Sequence, residues 1–175
     1  MPNIEGVNWF IEHVLPLITQ NKNSFKVFLA GKAMPDHFMK LATEQLIVSG
    51  RVDNSKAFMA DKAIMIVPLL SGGGMRVKII EGLAMGKTII STTIGAEGIK
   101  YTNGKDILIA DSPEEFYAAI VKCTSDLNFC KEIGKNARHL AETVYENKII
   151  GKELLQFYDS IKTNNSSSNQ PVSKS

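Results

Sequence analysis

The sequence predicts an α/β fold in which a parallel β-sheet carries helices on both faces. Short apolar runs of strand length alternate with segments of helical periodicity along most of the 175 residues. The run Ile64–Leu70 is apolar throughout, which is typical of a strand that is buried on both faces of a parallel sheet. Parallel strands need crossover connections, and right-handed crossovers make the predicted sheet Rossmann-like.

Five strands are predicted along the chain. They are Phe25–Gly31, Leu46–Val52, Ile64–Leu70, Thr88–Thr93 and Asp106–Asp111. In open α/β sheets, ligands bind beyond the carboxyl ends of the strands. The loop Ser49–Val52 and the loop Ser71–Arg76 are therefore the candidate binding segments.

The helices are predicted from apolar spacing and from their terminal residues. The first spans Ile4–Thr19, and later helices begin at Pro35, after a cap at Asn54, after Gly74 and at Ser112. The third of these later helices ends at Gly86, and Ser112 with Glu115 forms a capping box. The helical pattern then runs to Ile161, with breaks near 127–128 and 146–151. We predict one domain over residues 1–162 and a disordered polar tail over 163–175.

Composition narrows the classes of function. Hydrophobic residues make up 44% of the chain, and the formal net charge is +2, which gives no electrostatic argument for nucleic acid or a membrane surface. Cys123 and Cys130 lack metal-site spacing and are interpreted as small hydrophobic residues, and His13, His37 and His139 are scattered, so no metal site is predicted. No signal peptide or membrane span is evident, and we expect a cytoplasmic location.

The glycine-rich turn Ser71–Arg76 is the strongest local motif. Three consecutive glycines, Gly72, Gly73 and Gly74, join a strand to a helix and let a ligand approach the backbone. The helix N-terminus offers unpaired N–H groups to an anion such as a diphosphate. Arg76 and Lys78 oppose the helix dipole unless an anion arrives. The alternative is a flexible turn followed by two solvated bases.

Two weaker signals accompany the turn. Glu81 lies on an apolar helix face, where a carboxylate can accept hydrogen bonds from the two hydroxyls of a ribose, or is simply solvated. Arg51 and Val52 end a strand and could meet a phosphate and a base, although such loops are common in α/β proteins. The stretch GLAMGKT is rejected as a phosphate-binding P-loop because Glu81 stands where its first glycine is required, and because it ends a helix.

The run from Gly50 to Ile99, GRVDNSKAFMADKAIMIVPLLSGGGMRVKIIEGLAMGKTIISTTIGAEGI, resembles the C-terminal domain of GT-B glycosyltransferases, and is similar to the retaining group 1 (family 4-like) enzymes. The resemblance extends over about residues 3–145. It implies that the fold is one half of a GT-B enzyme and that the chain binds a nucleotide-sugar donor. A UDP- or GDP-sugar would be the substrate, with no cofactor and no metal ion.

The resemblance also implies roles for single residues. In that group, the second glutamate of a Glu-x7-Glu motif binds the ribose hydroxyls, and Glu81 matches it. The first glutamate, which contacts the transferred sugar, is replaced by Gly73. By the same likeness, the amides of Gly74, Met75 and Arg76 hold the diphosphate, and Gly72 belongs to the same binding turn. Arg76 or Lys78 adds positive charge, and the Val52 backbone meets the base.

The same likeness implies parts that the sequence does not contain. These are a first strand with a basic residue and an N-terminal domain that binds the acceptor. We therefore expect a saccharide or lipid-linked acceptor, little activity of this chain by itself, and room for peripheral membrane contact by the full-length enzyme. Two alternatives stay open. One is a GT-B nucleotide-sugar epimerase, although catalytic carboxylates and histidines are scarce around 72–81. The other is a non-catalytic Rossmann-like module, such as a response-regulator-like interaction domain. Such a domain would need acidic residues after the first strand, where this chain has Lys32 and Ala33.

Overall fold

The computed structural model describes residues 1–21 and 25–145 of the chain. All hydrogen-bonded strand pairs within them are parallel. The strands are β1 (Val27–Ala30), β2 (Leu46–Gly50), β3 (Ile64–Val67), β4 (Thr88–Ser91) and β5 (Leu108–Ile109). This confirms the α/β class and the position of every predicted strand. Each strand is shorter than predicted, because hydrogen-bonded pairing stops before the apolar run ends.

The strands form two sheets rather than the single sheet that the pattern predicts. One sheet has the order β1–β2 and the other has the order β3–β4–β5. β4 lies in the middle of the larger sheet and is buried along its whole length, whereas every residue of β3, at the edge, is only partly buried. Because β3 and β4 pair in parallel, their carboxyl ends meet at one edge of the larger sheet.

The first helical segment has an irregular middle. It consists of α1 (Pro2–Trp9), a π-helical turn (Phe10–Val14) and α2 (Leu15–Gln20). Pro16 accounts for the wider turn, because it has no N–H to donate to the carbonyl of Glu12 and its ring would meet that carbonyl. The predicted helix is thus confirmed, and its π-helical turn lies next to Pro16, a residue type that commonly disturbs a helix.

The remaining helices begin where the sequence provides caps. They are α3 (Asp36–Met39), α4 (Ser55–Ala60), α5 (Val77–Ala84), α6 (Pro113–Ser125) and α7 (Leu127–Val144). The Asn54 side chain accepts a hydrogen bond from the Ala57 amide at 3.0 Å, and Ser112 and Glu115 form the expected capping box. Pro35 lies just before α3 rather than inside it. The predictions for residues 146–175, including the polar tail, lie outside the described residues.

Helices cover both faces of the larger sheet. Ile90 packs in a core with Phe10, Val14 and Phe116, which belong to the first helical segment and α6. Its neighbour Ile89 points to the opposite face and packs with helices α5 and α7. The alternation of side chains along a buried strand thus gives the two-faced packing that the sequence predicts.

The two cysteines are packing residues, as predicted. Cys123 and Cys130 are buried on α6 and α7, and neither forms a disulfide. The Cys130 thiol donates to the Thr88 hydroxyl oxygen at 3.4 Å. Burial raises the pKa of the Cys123 thiol to about 12. The thiol of Cys123 therefore stays neutral near pH 7 and acts as a small apolar group.

The stretch around Gly86 ends a helix, as the rejection of a P-loop requires. α5 ends at Ala84, and Gly86 follows with a φ of 67°. The ammonium group of Lys87 donates to the carbonyl oxygens of Ala60 and Lys62, both at 2.7 Å, and burial lowers its pKa. Lys87 thus fastens α5 to the end of α4 instead of facing a phosphate.

Candidate functional site

The glycine-rich loop leaves the carboxyl end of β3 and enters α5. Gly72 and Gly74 have φ angles of 94° and 89°, a region of backbone conformation that favours glycine, whereas Gly73 does not. The loop is anchored at its beginning, where the Ser71 hydroxyl donates to the Glu5 carboxylate at 2.5 Å. It is exposed from Gly72 to Met75. The backbone is therefore both preformed and open to a ligand.

The N-terminal helix supports this loop by close packing. A Cβ atom added at Gly6 in α1 would collide with the carbonyl oxygen of Pro68, which directly follows β3. Only glycine lets the helix approach this closely. α1 thus fixes the start of the loop at Pro68 and, through Glu5, at Ser71.

The guanidinium group of Arg76 lies beneath the turn. Its Nη2 atom would be 2.8 Å from a Cβ atom added at Gly72, so the group rests against the backbone of the loop. Its Nε and Nη2 atoms are buried and have no hydrogen-bond partner among the described residues. A buried donor without a partner is costly, and more so when it is charged. An anion seated in the loop would supply the missing acceptor.

The start of α5 also lacks a side-chain cap. Arg76 occupies the N-cap position without making a side-chain cap, and the first turn contains no acidic residue. The amide groups of the first turn and the positive end of the helix dipole therefore face the loop. The glycine-rich turn thus leads into a helix as predicted, with Arg76 at the N-cap rather than inside the first turn.

Lys78 and Glu81 form an ion pair one turn into α5. The ammonium nitrogen lies 2.6 Å from the Oε2 atom of Glu81 and 3.3 Å from the Ser55 hydroxyl. Glu81 is partly buried, and Lys78 is more exposed. Lys78 therefore holds the carboxylate in place and links α5 to the first residue of α4. This engagement makes Arg76 the better of the two candidates for an anion.

The contact between Lys78 and Ser55 brings the other candidate binding segment, the loop Ser49–Val52, toward the helix that follows the glycine-rich turn. Arg51 and Val52 follow β2 and lead into α4, whose first residue is Ser55. Arg51 is exposed and Val52 is partly buried. The described contacts bring the start of α4 to Lys78, and the roles of Arg51 and Val52 stay predictions.

A carboxylate that the sequence analysis did not select also contacts the loop. Glu97, in the turn after β4, accepts a hydrogen bond from the Gly74 amide at 3.2 Å. Its Oε2 atom would be 3.8 Å from a Cβ atom added at Gly73. The signal was available, because Glu97 follows the next predicted strand and the carboxyl ends of parallel strands share an edge.

Two further observations concern metal ligands and membrane-spanning helices among the described residues. Residues 1–21 and 25–145 contain no group of three His, Cys, Asp or Glu side chains that could hold a metal ion. None of the helices in this part of the chain has the length and apolar character needed to cross a membrane. The site consists instead of backbone amides, two basic side chains and two carboxylates.

The family follows from comparison with known proteins. A family model described as glycosyl transferases group 1 matches residues 1–126. The chain belongs to the group 1 glycosyltransferases. A protein of the cps region of Klebsiella pneumoniae is 26% identical over 158 residues, covering 85% of this chain and 41% of the relative. An uncharacterized glycosyltransferase of Methanocaldococcus jannaschii is 30% identical over 115 residues, covering 63% of this chain and 29% of the relative.

Solved glycosyltransferase structures share the fold. A glycosyltransferase from Rickettsia africae superposes with a TM-score of 0.73 at 19% identity, over 89% of this chain and 45% of that one. Anabaena HepE, solved with UDP, gives 0.72 at 17% identity, over 87% and 46%. The C-terminal domain of Francisella tularensis LpcC gives 0.67 at 18% identity, over 81% and 80%. The fold is the Rossmann-like half of a GT-B enzyme, as the sequence resemblance implied.

The chain spans less than half the length of the curated relatives that it matches. Its similarity to LpcC, by contrast, covers most of a chain that is itself a C-terminal domain. The match therefore places these residues in the C-terminal half of the group 1 glycosyltransferase fold.

Proposed function

We propose that this chain is the donor-binding half of a retaining glycosyltransferase. The complete enzyme would transfer a sugar from a UDP- or GDP-sugar to a saccharide or lipid-linked acceptor. The observation that carries the proposal is the pair of buried, unpartnered nitrogens, Nε and Nη2, in the Arg76 guanidinium group against the glycine-rich loop. A buried cation beside exposed amides fits a diphosphate, which supplies negative charge and acceptor oxygens together.

The rest of the site fits the nucleoside. Glu81, held by Lys78, presents a carboxylate that can accept hydrogen bonds from the two ribose hydroxyls. Anabaena HepE, a structural neighbour, was solved with UDP and with UDP-glucose, which supports a nucleotide-sugar ligand for this fold. We expect the base to lie toward Val52, because the start of α4 is bonded to Lys78.

Catalysis would depend mainly on position and charge. The α5 dipole and Arg76 would stabilise the leaving diphosphate, so this proposal includes no metal ion and no cofactor. The acceptor would bind to an N-terminal domain, and this chain by itself would transfer little sugar.

The test is titration of the chain with UDP and with GDP by calorimetry. We expect one of the two nucleotides to bind, and Glu81→Ala to weaken that binding by about tenfold, the value of one charge-assisted hydrogen-bonded contact. Glu132→Ala removes an exposed carboxylate on α7 and serves as the matched control with unchanged affinity. If neither nucleotide binds, the proposed function is wrong, and if Glu81→Ala binds like the wild type, the ribose assignment is wrong.

A further inference from the structure

The turn after β4 presents a carboxylate to the glycine-rich loop. The Gly74 amide donates to the Glu97 Oε2 atom at 3.2 Å, and the same oxygen lies next to the open side of Gly73. Glu97 is exposed. The one hydrogen bond described for its carboxylate, from Gly74, fills only part of its capacity, because an ionised carboxylate has about four acceptor positions.

The backbone around Glu97 is held in place by its own turn, while the side chain is free to change its rotamer. A Cβ atom added at Gly95 would meet the carbonyl oxygen of Val67 and the hydroxyl groups of Ser91 and Thr92, so the chain packs tightly against the ends of β3 and β4. Gly98 has a φ of 77° and packs against the backbone of Met75. The two glycines hold the turn against the loop on both sides of Glu97.

The chemistry of the carboxylate limits what it can bind. A negative charge beside a loop that binds a diphosphate repels the phosphate oxygens, so Glu97 cannot be a phosphate ligand. It accepts hydrogen bonds from hydroxyl groups. A nucleotide sugar has hydroxyl groups on both sides of its diphosphate, one set on the ribose and the other on the transferred sugar. Two carboxylates belong to the segments around the loop. Glu81 lies on α5 and pairs with Lys78, and Glu97 lies on the turn after β4 and accepts from the Gly74 amide.

Building on the proposed function, we propose that Glu97 binds the hydroxyl groups of the transferred sugar. The diphosphate takes the Gly74 amide, and the released carboxylate turns to accept hydrogen bonds from the sugar. The absence of a side chain at Gly73 then leaves room beside the loop for the carboxylate of Glu97, which comes from a different segment. Glu97 would thus help to decide which nucleotide sugar the enzyme uses.

The experiment compares the affinity for a nucleotide sugar with that for the bare nucleotide. Calorimetry with UDP, UDP-glucose, UDP-N-acetylglucosamine, GDP and GDP-mannose is performed on the wild type, Glu97→Gln and the control Glu132→Gln. We expect at least one nucleotide sugar to bind the wild type about tenfold more tightly than its own nucleotide, a gain that Glu97→Gln loses and Glu132→Gln keeps. Affinity for the bare nucleotide stays the same or increases in Glu97→Gln, because a repulsive charge is removed.

Other outcomes overturn the inference. If Glu97 only braces the loop, or only occupies the place of an anion, Glu97→Gln changes the affinities for nucleotide and nucleotide sugar by the same factor and the gain persists. If no nucleotide sugar binds the wild type better than its nucleotide, the role of Glu97 is refuted while nucleotide binding still stands. If no nucleotide binds at all, the proposed function itself has failed. Urea unfolding of each variant checks that it is folded.

Discussion

Helices α5 and α6 both follow a strand of the larger sheet, yet their N-termini are built in opposite ways. α6 begins with the capping box of Ser112 and Glu115, and its first turn is acidic. α5 begins at Arg76 without a side-chain cap, and Lys78 follows in its first turn. Acidic residues and caps stabilise a helix start, and basic residues oppose the dipole.

The difference separates a structural helix start from a binding one. α6 satisfies its first amide groups with its own side chains and needs no ligand. α5 has no side-chain cap for its first amide groups, and the Nε and Nη2 atoms of Arg76 are buried beside it without a partner among the described residues. A helix start that is unfavourable in the free protein becomes favourable when a diphosphate binds. Three substitutions test this comparison, in order of decreasing effect.

The largest effect is expected from Arg76→Met, which removes the positive charge at α5. Affinity for the nucleotide found by titration should fall by about tenfold or more, because a charge-assisted contact is lost. The free energy of unfolding should stay the same or increase, because a buried charge without a partner is also removed. Calorimetry and urea unfolding measure the two quantities.

Arg138→Met is the matched control for that charge. Arg138 is exposed on α7 and pairs with Glu142 at 2.8 Å, so its loss should leave nucleotide affinity unchanged. Equal loss of affinity in the two variants would mean that overall charge, and not the position of Arg76, attracts the ligand.

An intermediate effect is expected from Ser112→Ala, which removes the cap of α6. Loss of an N-cap side chain should lower the free energy of unfolding by about 1 kcal/mol. Nucleotide affinity should stay the same, since α6 takes no part in the site. Urea unfolding and calorimetry measure both. A large loss of affinity would contradict the separation of structural and binding helix starts.

The smallest effect is expected from Val77→Asp, which gives α5 the acidic first turn that α6 has. Val77 is 66% exposed, so little apolar burial is lost. The carboxylate should raise the free energy of unfolding by about 0.5 kcal/mol through the helix dipole. It should also weaken nucleotide binding several-fold by repelling the diphosphate. Val77→Asn, which has a similar shape and no charge, should show a smaller loss, and equal losses would rule out the charge as the cause.

Much of this arrangement could be predicted from local pattern. The strands are largely apolar runs of the chain. The caps at Asn54 and Ser112 act over three residues, so the residues close by in sequence were enough to predict both. The start of α5 was predicted for the same reason, since its glycines and Arg76 are adjacent in sequence.

The contacts between distant segments could not be predicted in this way. Glu97 reaches Gly74 only because β3 and β4 pair in parallel and end at the same edge. The burial of the Arg76 side chain depends on how the glycine-rich loop folds against it, and the spacing of residues in the sequence does not determine that. The division into two sheets depends on which strands pair, and apolar runs do not encode their partners.

The middle of α1 contains a residue that a protein engineer would change first. Glycine in a helix interior costs about 1 kcal/mol relative to alanine, so replacing Gly6 with alanine would be a standard way to raise thermal stability. At this position the added methyl group would collide with the carbonyl oxygen of Pro68 and force the helix away from the start of the glycine-rich loop. Replacing Gly6 with alanine would therefore raise the helical propensity of α1 and, at the same time, loosen the glycine-rich loop that α1 supports.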